Sequence, residues 1–331
     1  MKLPNPKFWE GKRVLVTGAE GFKGRWMVQW LSKLGAIVET NETIDICDYE
    51  AMKNIIFKFD PEIVIHMAAV STVQEAFENP MEAIRTNAMG TTTLLQILKI
   101  HNMWSSVKAI VNVTTDKVYH VVGAERGCEE TDPLGGLEMY AVSKVCSEHI
   151  SKVYQKTFKL PIVTVRAGNV IGGGDFKRSR IIPNYYFAQL ENTPLEINAT
   201  AIRPWQYILD CLCGYLLLCE KLYNNDAYTG AWNFASNEFE SRSVEWIVKE
   251  MNKYFDHPID IARINSRLYY ETNTLKLNSR KSHDVLQWTP KYDMQEMVRR
   301  TAEWYRNYMM GHSAEALNEF EINAYMNEGQ E

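Results

Sequence analysis

Thr114, Thr115, Asp116 and Lys117 close an apolar run, Ala109 to Val113, and further on Tyr140 and Lys144 stand four residues apart in MYAVSKVCSEHI. The run reads as a buried strand and the later segment as a helix, with Tyr140 and Lys144 on one face of it. A lysine ammonium beside a phenol favours the phenolate, which predicts that Tyr140 acts as a base near neutral pH. Asp116 and Lys117 add an acid and a second base at the end of the neighbouring strand. Two acid/base systems in one site point to more chemistry than simple hydride transfer.

Upstream, Gly18, Gly21 and Gly24 in TGAEGFKG join the short apolar strand Val14–Val16 to an amphipathic stretch, Trp26–Leu34. Glycines at such a strand-to-helix turn let the backbone approach a pyrophosphate, and the helix N-terminus attracts its charge. The spacing is GxxGxxG, and glycine turns are common, so alone it says little. Joined to Tyr140-x-x-x-Lys144 and the strand-end acid and base, it predicts a nucleotide site.

The elements that position these residues alternate in the first half of the chain. Strands are expected at Val14–Val16, Ala36–Glu39, Ile63–Ile65, Ala109–Val113 and Ile162–Val165, and helices at Phe22–Leu34, Tyr49–Lys58, Met81–His101 and Leu137–Thr157. Such units predict an α/β fold with a Rossmann-type, doubly wound parallel sheet. After Val165 the alternation stops. RAGNVIGGGDFKRSR, with four glycines and five charges, reads as a functional loop, Ile208–Tyr223 as a helix, and Trp232–Phe234 as a last strand returning to the sheet. This divides the chain into a dinucleotide-binding part, residues 1–170 with 204–235 returning to it, and a smaller substrate-binding part woven in from 171–203 and 236–331. Gly18, Ala68, Thr114 and Arg166 fall at the carboxyl ends of strands, where open parallel sheets bind ligands.

At 331 residues there is room for one large or two modest domains. The formal net charge of −5 leaves no electrostatic footprint for nucleic acid. A dianionic substrate therefore needs a local basic cluster, and Lys177, Arg178, Arg180 and Arg203 supply one, although Lys177 and Arg178 also read as a solvated loop. Ile208–Leu222 is interrupted by Asp210, Gly214 and Glu220, so it is a core helix and not a membrane span. MKLPNPKFWEGK lacks the apolar middle of a signal peptide, which predicts a cytoplasmic protein. Cys47, Cys128, Cys146, Cys211, Cys213 and Cys219 form no CxxC pair and join no histidine cluster, so neither a disulfide nor a metal site is expected.

FWEGKRVLVTGAEGFKG, PEIVIHMAAV, RTNAMGTTTLL, VNVTTDKVY, VRAGNVIGGGD, IRPWQYI, GYLLLCEKLY, GAWNF and FEINAYMN span nearly the whole chain. They resemble the extended short-chain dehydrogenases/reductases, among these the nucleotide-sugar 4,6-dehydratases, and most nearly the CDP-glucose group. The resemblance implies NAD as cofactor. Gly18, Gly21, Phe22 and Gly24 would surround its pyrophosphate, Asp45 and Ile46 its adenine, and Ala68, Ala69, Thr114 and Arg166 the rest of the dinucleotide. Tyr140 and Lys144 would serve the hydride step, Lys144 also touching a ribose. Thr115 would hold the sugar 4-hydroxyl, Asp116 protonate the departing 6-hydroxyl, and Lys117 remove the C5 proton. Asn169, Arg180 and Arg203 would grip the nucleotide diphosphate. The resemblance also implies a homodimer through a four-helix bundle of Met81–His101 and Leu137–Thr157, with Leu94, Leu95, Ile97 and Leu98 as surplus apolar residues.

One departure stands out. Between Gly35 and Asp45 only AIVETNETI remains, where the CDP-glucose group carries a long insertion. This predicts partial loss of the dinucleotide on purification, and it resembles certain sugar-nucleotide reductases. Glu39 and Glu42 read equally as acceptors for a ribose 2′-hydroxyl and as exposed loop acids. His66 and Trp205 read as core, Asn87 as an amide gripping backbone near Thr114, and Tyr119 and His120 as shaping the loop after Lys117. The alternatives are a 4,6-dehydratase of a GDP- or UDP-linked hexose or N-acetylhexosamine, a 4-epimerase or 4-ketoreductase, and a non-catalytic dinucleotide sensor.

Overall fold

The computed structural model describes residues 2–105, 107–120, 126–199, 201–236, 241–264 and 276–328. The short apolar runs become strands because a parallel sheet is covered on both faces. Six strands pair in parallel: β1 (Arg13–Thr17), β2 (Ile37–Thr40), β3 (Ile63–His66), β4 (Ala109–Val113), β5 (Ile162–Ala167) and β6 (Gly230–Phe234), in the order β6-β5-β4-β3-β1-β2. The chain thus returns to the sheet through Trp232–Phe234, which lie opposite Val165–Ala167 of β5. The order reverses between β1 and β3, and there the carboxyl ends open a crevice.

Alternate residues of each strand serve the two faces. Val14 and Val16 join the core formed with α1 (Phe22–Lys33), while Leu15 joins the core formed with α2 (Tyr49–Phe59) and α3 (Gly90–His101). Flanking α3 is α4 (Met139–Phe158), and α5 (Ile208–Asn224) shares the core of α1. No helix among the described residues is long and apolar enough to cross a membrane.

The expected helix Met81–His101 is not uniform. Pro80–Ile84 leads into a wide π turn, Arg85–Met89, before α3 begins. Asn87 sits in this turn and donates from Nδ2 to the Val70 carbonyl at 2.9 Å and to Ser143 Oγ at 2.8 Å. Its grip is therefore on the loop after β3 and on the helix between Tyr140 and Lys144, not on backbone near Thr114. Leu94, Leu95, Ile97 and Leu98 are all buried within the chain, because α3 is wedged between the sheet, α2 and α4. The exposed apolar residues of these helical segments are others, among them Met81, Met89, Val153 and Phe158.

The glycine run after β5 is a packing device. A Cβ at Gly173 would lie 2.0 Å from the Trp304 ring, and Trp26 Nε1 donates to the Gly173 carbonyl at 2.9 Å. Tyr305 Oη donates to the Asp175 carbonyl at 2.5 Å. Asn169–Ile171 pairs in parallel with Trp205–Tyr207, so the segments on either side of residues 172–204 meet again beside the sheet.

Candidate active site

A cavity of about 710 Å³ lies beyond the carboxyl ends of the strands. On one side is the glycine turn. Gly18 has φ +72°, and a Cβ there would fall 2.5 Å from the Ala68 nitrogen; a Cβ at Gly24 would fall 2.2 Å from the Gly18 carbonyl oxygen. These contacts, not loop flexibility, require glycine. Gly21 caps α1 without any side-chain hydrogen bond, which leaves the first N–H groups of the helix directed at the cavity mouth. Asn41 Oδ1 accepts from the Gly18 N–H at 3.0 Å, and Thr17 Oγ1 accepts from the N–H groups of Met67 and Ala68, tying the ends of β1 and β3 together.

The opposite wall is β4 and α4. Thr115 Oγ1 accepts from the Lys117 N–H and donates to Asp116 Oδ1 at 3.1 Å. Burial pushes the Asp116 carboxyl up, against the opposing pull of Lys117, the Thr115 hydroxyl and Arg203. A carboxyl that holds its proton is what a general acid needs. Glu138 caps α4, accepting from the N–H groups of Tyr140 at 2.7 Å and Ala141 at 2.9 Å, and so fixes Tyr140 in the first turn.

Tyr140 differs from the expectation of a ready phenolate. Burial pushes its phenol up to about 12, and a hydrogen bond with Thr115 and the charge of Arg180 oppose this only in part. Lys144 is buried too, and donates from Nζ to the Val113 carbonyl at 3.0 Å. Burial and the charge of Lys23 bring Lys144 down to about 8. The four-residue spacing gives the shared helix face, but desolvation dominates at the phenol. His66 is a core histidine as expected. It bonds Thr17 and Thr91, and burial with the Lys144 charge lowers it to about 3, so it stays neutral.

Gly18, Gly21, Phe22, Gly24, Ala69, Thr114, Thr115, Asp116, Lys117, Tyr140, Lys144, Asn169, Arg180 and Arg203 all line this one cavity. Ala68 stands behind Gly18. Three predicted residues lie elsewhere. Asp45 is on the surface, paired with Arg85. Ile46 is buried against Gly90. Arg166 turns away into the core, where Glu148 holds it through two contacts and Tyr119 through a third. Tyr119 thereby does more than shape a loop, since its hydroxyl also donates to Asn233 Oδ1 at 2.7 Å.

Of the basic cluster, Arg178 is exposed and paired with Glu191. Arg180 donates to Asp175 at 2.9 Å and to Ser71 Oγ at 3.0 Å, and Lys177 meets Ser71 Oγ at 3.1 Å and Glu75 at 2.5 Å. These residues bridge the loop after β3 and the loop after β5. Trp205 is buried and donates to the Arg242 carbonyl, yet one side of it reaches the cavity. Lys23, Ser71 and Glu148 escaped the sequence reading. Lys23 was visible inside GFKG, and Glu148 as the residue four after Lys144 on the same helix face.

A family model described as GDP-mannose 4,6 dehydratase matches residues 39–301. The chain belongs to this family. It is 34% identical to CDP-glucose 4,6-dehydratase of Salmonella typhimurium, over 96% of this chain and 97% of that one. It is 27% identical to human dTDP-D-glucose 4,6-dehydratase, over 89% and 90%. Among solved structures, dTDP-glucose 4,6-dehydratase of Streptomyces venezuelae, crystallised with NAD and TYD, superposes with a TM-score of 0.77 at 21% identity, over 89% of this chain and 97% of that one. UDP-glucose 4-epimerase of Thermus thermophilus, in complex with NAD, gives 0.78 at 23%, over 89% and 99%. These two establish the shared Rossmann-type fold. Asp116 and Lys117 belong to the stretch that the family model covers, and the glycine turn precedes it.

Proposed function

We propose that this protein is an NAD-dependent nucleotide-sugar 4,6-dehydratase acting on CDP-glucose. The observation that carries the reading is a buried Asp116, its carboxyl pushed up by burial, in the same cavity as Tyr140, Lys144 and the glycine turn. A 4-epimerase or 4-ketoreductase needs Tyr140 and Lys144 but has no use for such an acid, and a dinucleotide sensor needs neither pair. The glycine turn fits the dinucleotide: its backbone is too crowded for any Cβ at Gly18 or Gly24, and it borders the cavity. Bound there, NAD would accept the C4 hydride and later return it.

The chain's own residues then divide the work. Tyr140 is placed to take the proton of the 4-hydroxyl beside Thr115 and the Lys144 ammonium; with its phenol raised by burial, it would need the positive charge that NAD would bring to the site. Oxidation at C4 places the C5 proton next to a carbonyl and makes it acidic. Lys117 in its neutral form removes that proton, and Asp116 gives its own to the hydroxyl leaving C6, so water departs. Return of the hydride to C6 would be the part of the bound NAD, and C5 takes back a proton. The net change is loss of one water, with no redox equivalent consumed.

Residues 1–170 and 204–235 hold the dinucleotide on this reading, and 171–203 with 236–331 hold the nucleotide sugar, Asn169, Arg180 and Arg203 facing its diphosphate. Two chains associate through the outer faces of Pro80–His101 and α4, where Met89 and Val153 are more than half exposed. The test is turnover of CDP-, GDP-, UDP- and dTDP-linked hexoses carrying deuterium at C4. A product lighter by one water, with deuterium at C6, is expected from the CDP-linked sugar, and in heavy water C5 becomes labelled. Return of the label to C4 or its loss to bulk would overturn the dehydration.

A further inference from the structure

Lys23 is the second residue of α1, between Gly21 and Gly24, and it lines the cavity. Its side chain is half-buried and crosses to α5, where Nζ lies 3.4 Å from Tyr215 Oη and 5.5 Å from the centre of that ring. Tyr215 is wholly buried, and burial holds its phenol well above the usual range. A neutral phenol orients an ammonium without neutralising it. Among the described residues no carboxylate lies within ion-pair distance of Lys23. Glu20, Asp116, Asp175 and Glu196 line the cavity; Glu20 pairs with Arg25, Asp175 with Arg180, and Asp116 feels the charges of Lys117 and Arg203.

A second cation faces it. Lys144 lines the same cavity and feels the Lys23 charge, with Glu148 pulling it the other way. Two ammonium groups sharing a low-dielectric space repel, and an anion placed between them relieves both. The N–H groups at the start of α1 converge on the same space. We propose that Lys23 is a dinucleotide-binding residue, its ammonium taking the diphosphate from the α5 side while the glycine turn takes it from the other. This rests on the NAD reading above. It supplies a hold on the cofactor that does not depend on the short Gly35–Asp45 link, and it is a contact that the GxxGxxG pattern alone does not contain.

The experiment is equilibrium binding by calorimetry of NAD, ADP-ribose and adenosine to the nucleotide-stripped full chain, for the wild type, Lys23→Met and Lys23→Arg. Lys23→Met should weaken NAD and ADP-ribose alike by about tenfold or more, the usual size of a lost charge-assisted contact. Adenosine should be unaffected, and Lys23→Arg should keep most of the affinity. Thermal unfolding of each variant checks the fold, with Lys23→Gln in reserve should the methionine chain not fold. Unchanged NAD affinity in the neutral variants would overturn the proposal. So would an equal loss for adenosine, or a loss for NAD that spares ADP-ribose, which would move the ammonium to the nicotinamide end. A wild type that binds neither NAD nor ADP-ribose would overturn the functional reading itself, and this contact with it.

Discussion

Behind the strand ends, Arg166 meets Glu148 at 2.8 Å through Nε and at 2.9 Å through Nη2, with both side chains about 95% buried. At the cavity rim, Lys177 meets Glu75 at 2.5 Å, but about a third of each side chain remains exposed. The inner pair is also roofed by hydroxyls: Thr114 Oγ1 donates to Glu148 at 2.6 Å and Thr164 Oγ1 at 2.7 Å. The rim pair shares one small acceptor, Ser71 Oγ, with Arg180. Buried charges persist only when every lone pair is met, and the inner network meets that demand before any ligand arrives. Exposed pairs are weak and exchangeable. The two ion pairs thus do different jobs: the inner one fixes Thr114 against α4, so that Asp116 and Lys144 keep their mutual position, while the outer one holds cations at the cavity rim, where the proposed reading puts a diphosphate.

On the proposed reading, Tyr140→Phe removes the base for the 4-hydroxyl and should lower turnover by about a thousandfold or more. Asp116→Asn should lower it by about a hundredfold or more, yet through a different step. Oxidation at C4 survives in that variant and water loss does not, so rapid mixing with substrate should produce the absorbance of reduced nicotinamide only in Asp116→Asn. Near-normal turnover of Asp116→Asn would remove Asp116 from the mechanism.

Most of the inner framework was legible because burial on both faces leaves a mark on sequence. Ile63–Ile65 and Ala109–Val111 are continuous apolar runs, and a sheet covered on two sides is the arrangement that uses them. The glycine turn was legible for a related reason: at Gly18 and Gly24 no larger residue fits. Arg166 was misplaced because sequence shows a cation at the end of a strand and nothing of where it turns. Its partner is eighteen residues earlier on a helix, and only the spacing of Glu148 from Lys144 hinted that it faces the sheet. The pairing of Asp45 with Arg85, forty residues away, was hidden in the same way. For Tyr140 the spacing was informative and the environment was not, because desolvation depends on what packs around the phenol.

Glu148→Gln tests the inner network as a structural unit. Burial alone would raise this carboxyl, but Arg166 and the hydroxyls of Thr114 and Thr164 outweigh it and hold Glu148 below its ordinary value of 4.5. A depressed carboxylate contributes stability that is fully present above the unfolded value and fades as pH falls through the folded one. Removing the charge leaves Arg166 buried and unpaired, which should cost about 3–5 kcal/mol near neutrality. The gap between wild type and variant in denaturant unfolding should narrow below about pH 4.5 as the wild type loses its own pair. A gap that stays constant into acid would show that the pair's charge is not what stabilises the fold.

Ser71→Ala makes the smallest change and addresses the rim. The serine oxygen accepts from both Lys177 and Arg180, but each cation keeps a carboxylate, Glu75 or Asp175. Nothing buried is orphaned, so stability should fall by about 1 kcal/mol or less. The two cations lose their common anchor, so Arg180 should be less well placed for an incoming diphosphate. KM for the nucleotide sugar should therefore rise a few-fold while kcat holds, because the contact is made equally in ground and transition states. A fall in kcat with KM unchanged would put Ser71 among the groups that act only in the transition state. A loss of several kcal/mol would make the rim as structural as the Arg166–Glu148 pair, and the distinction between the two regions would collapse.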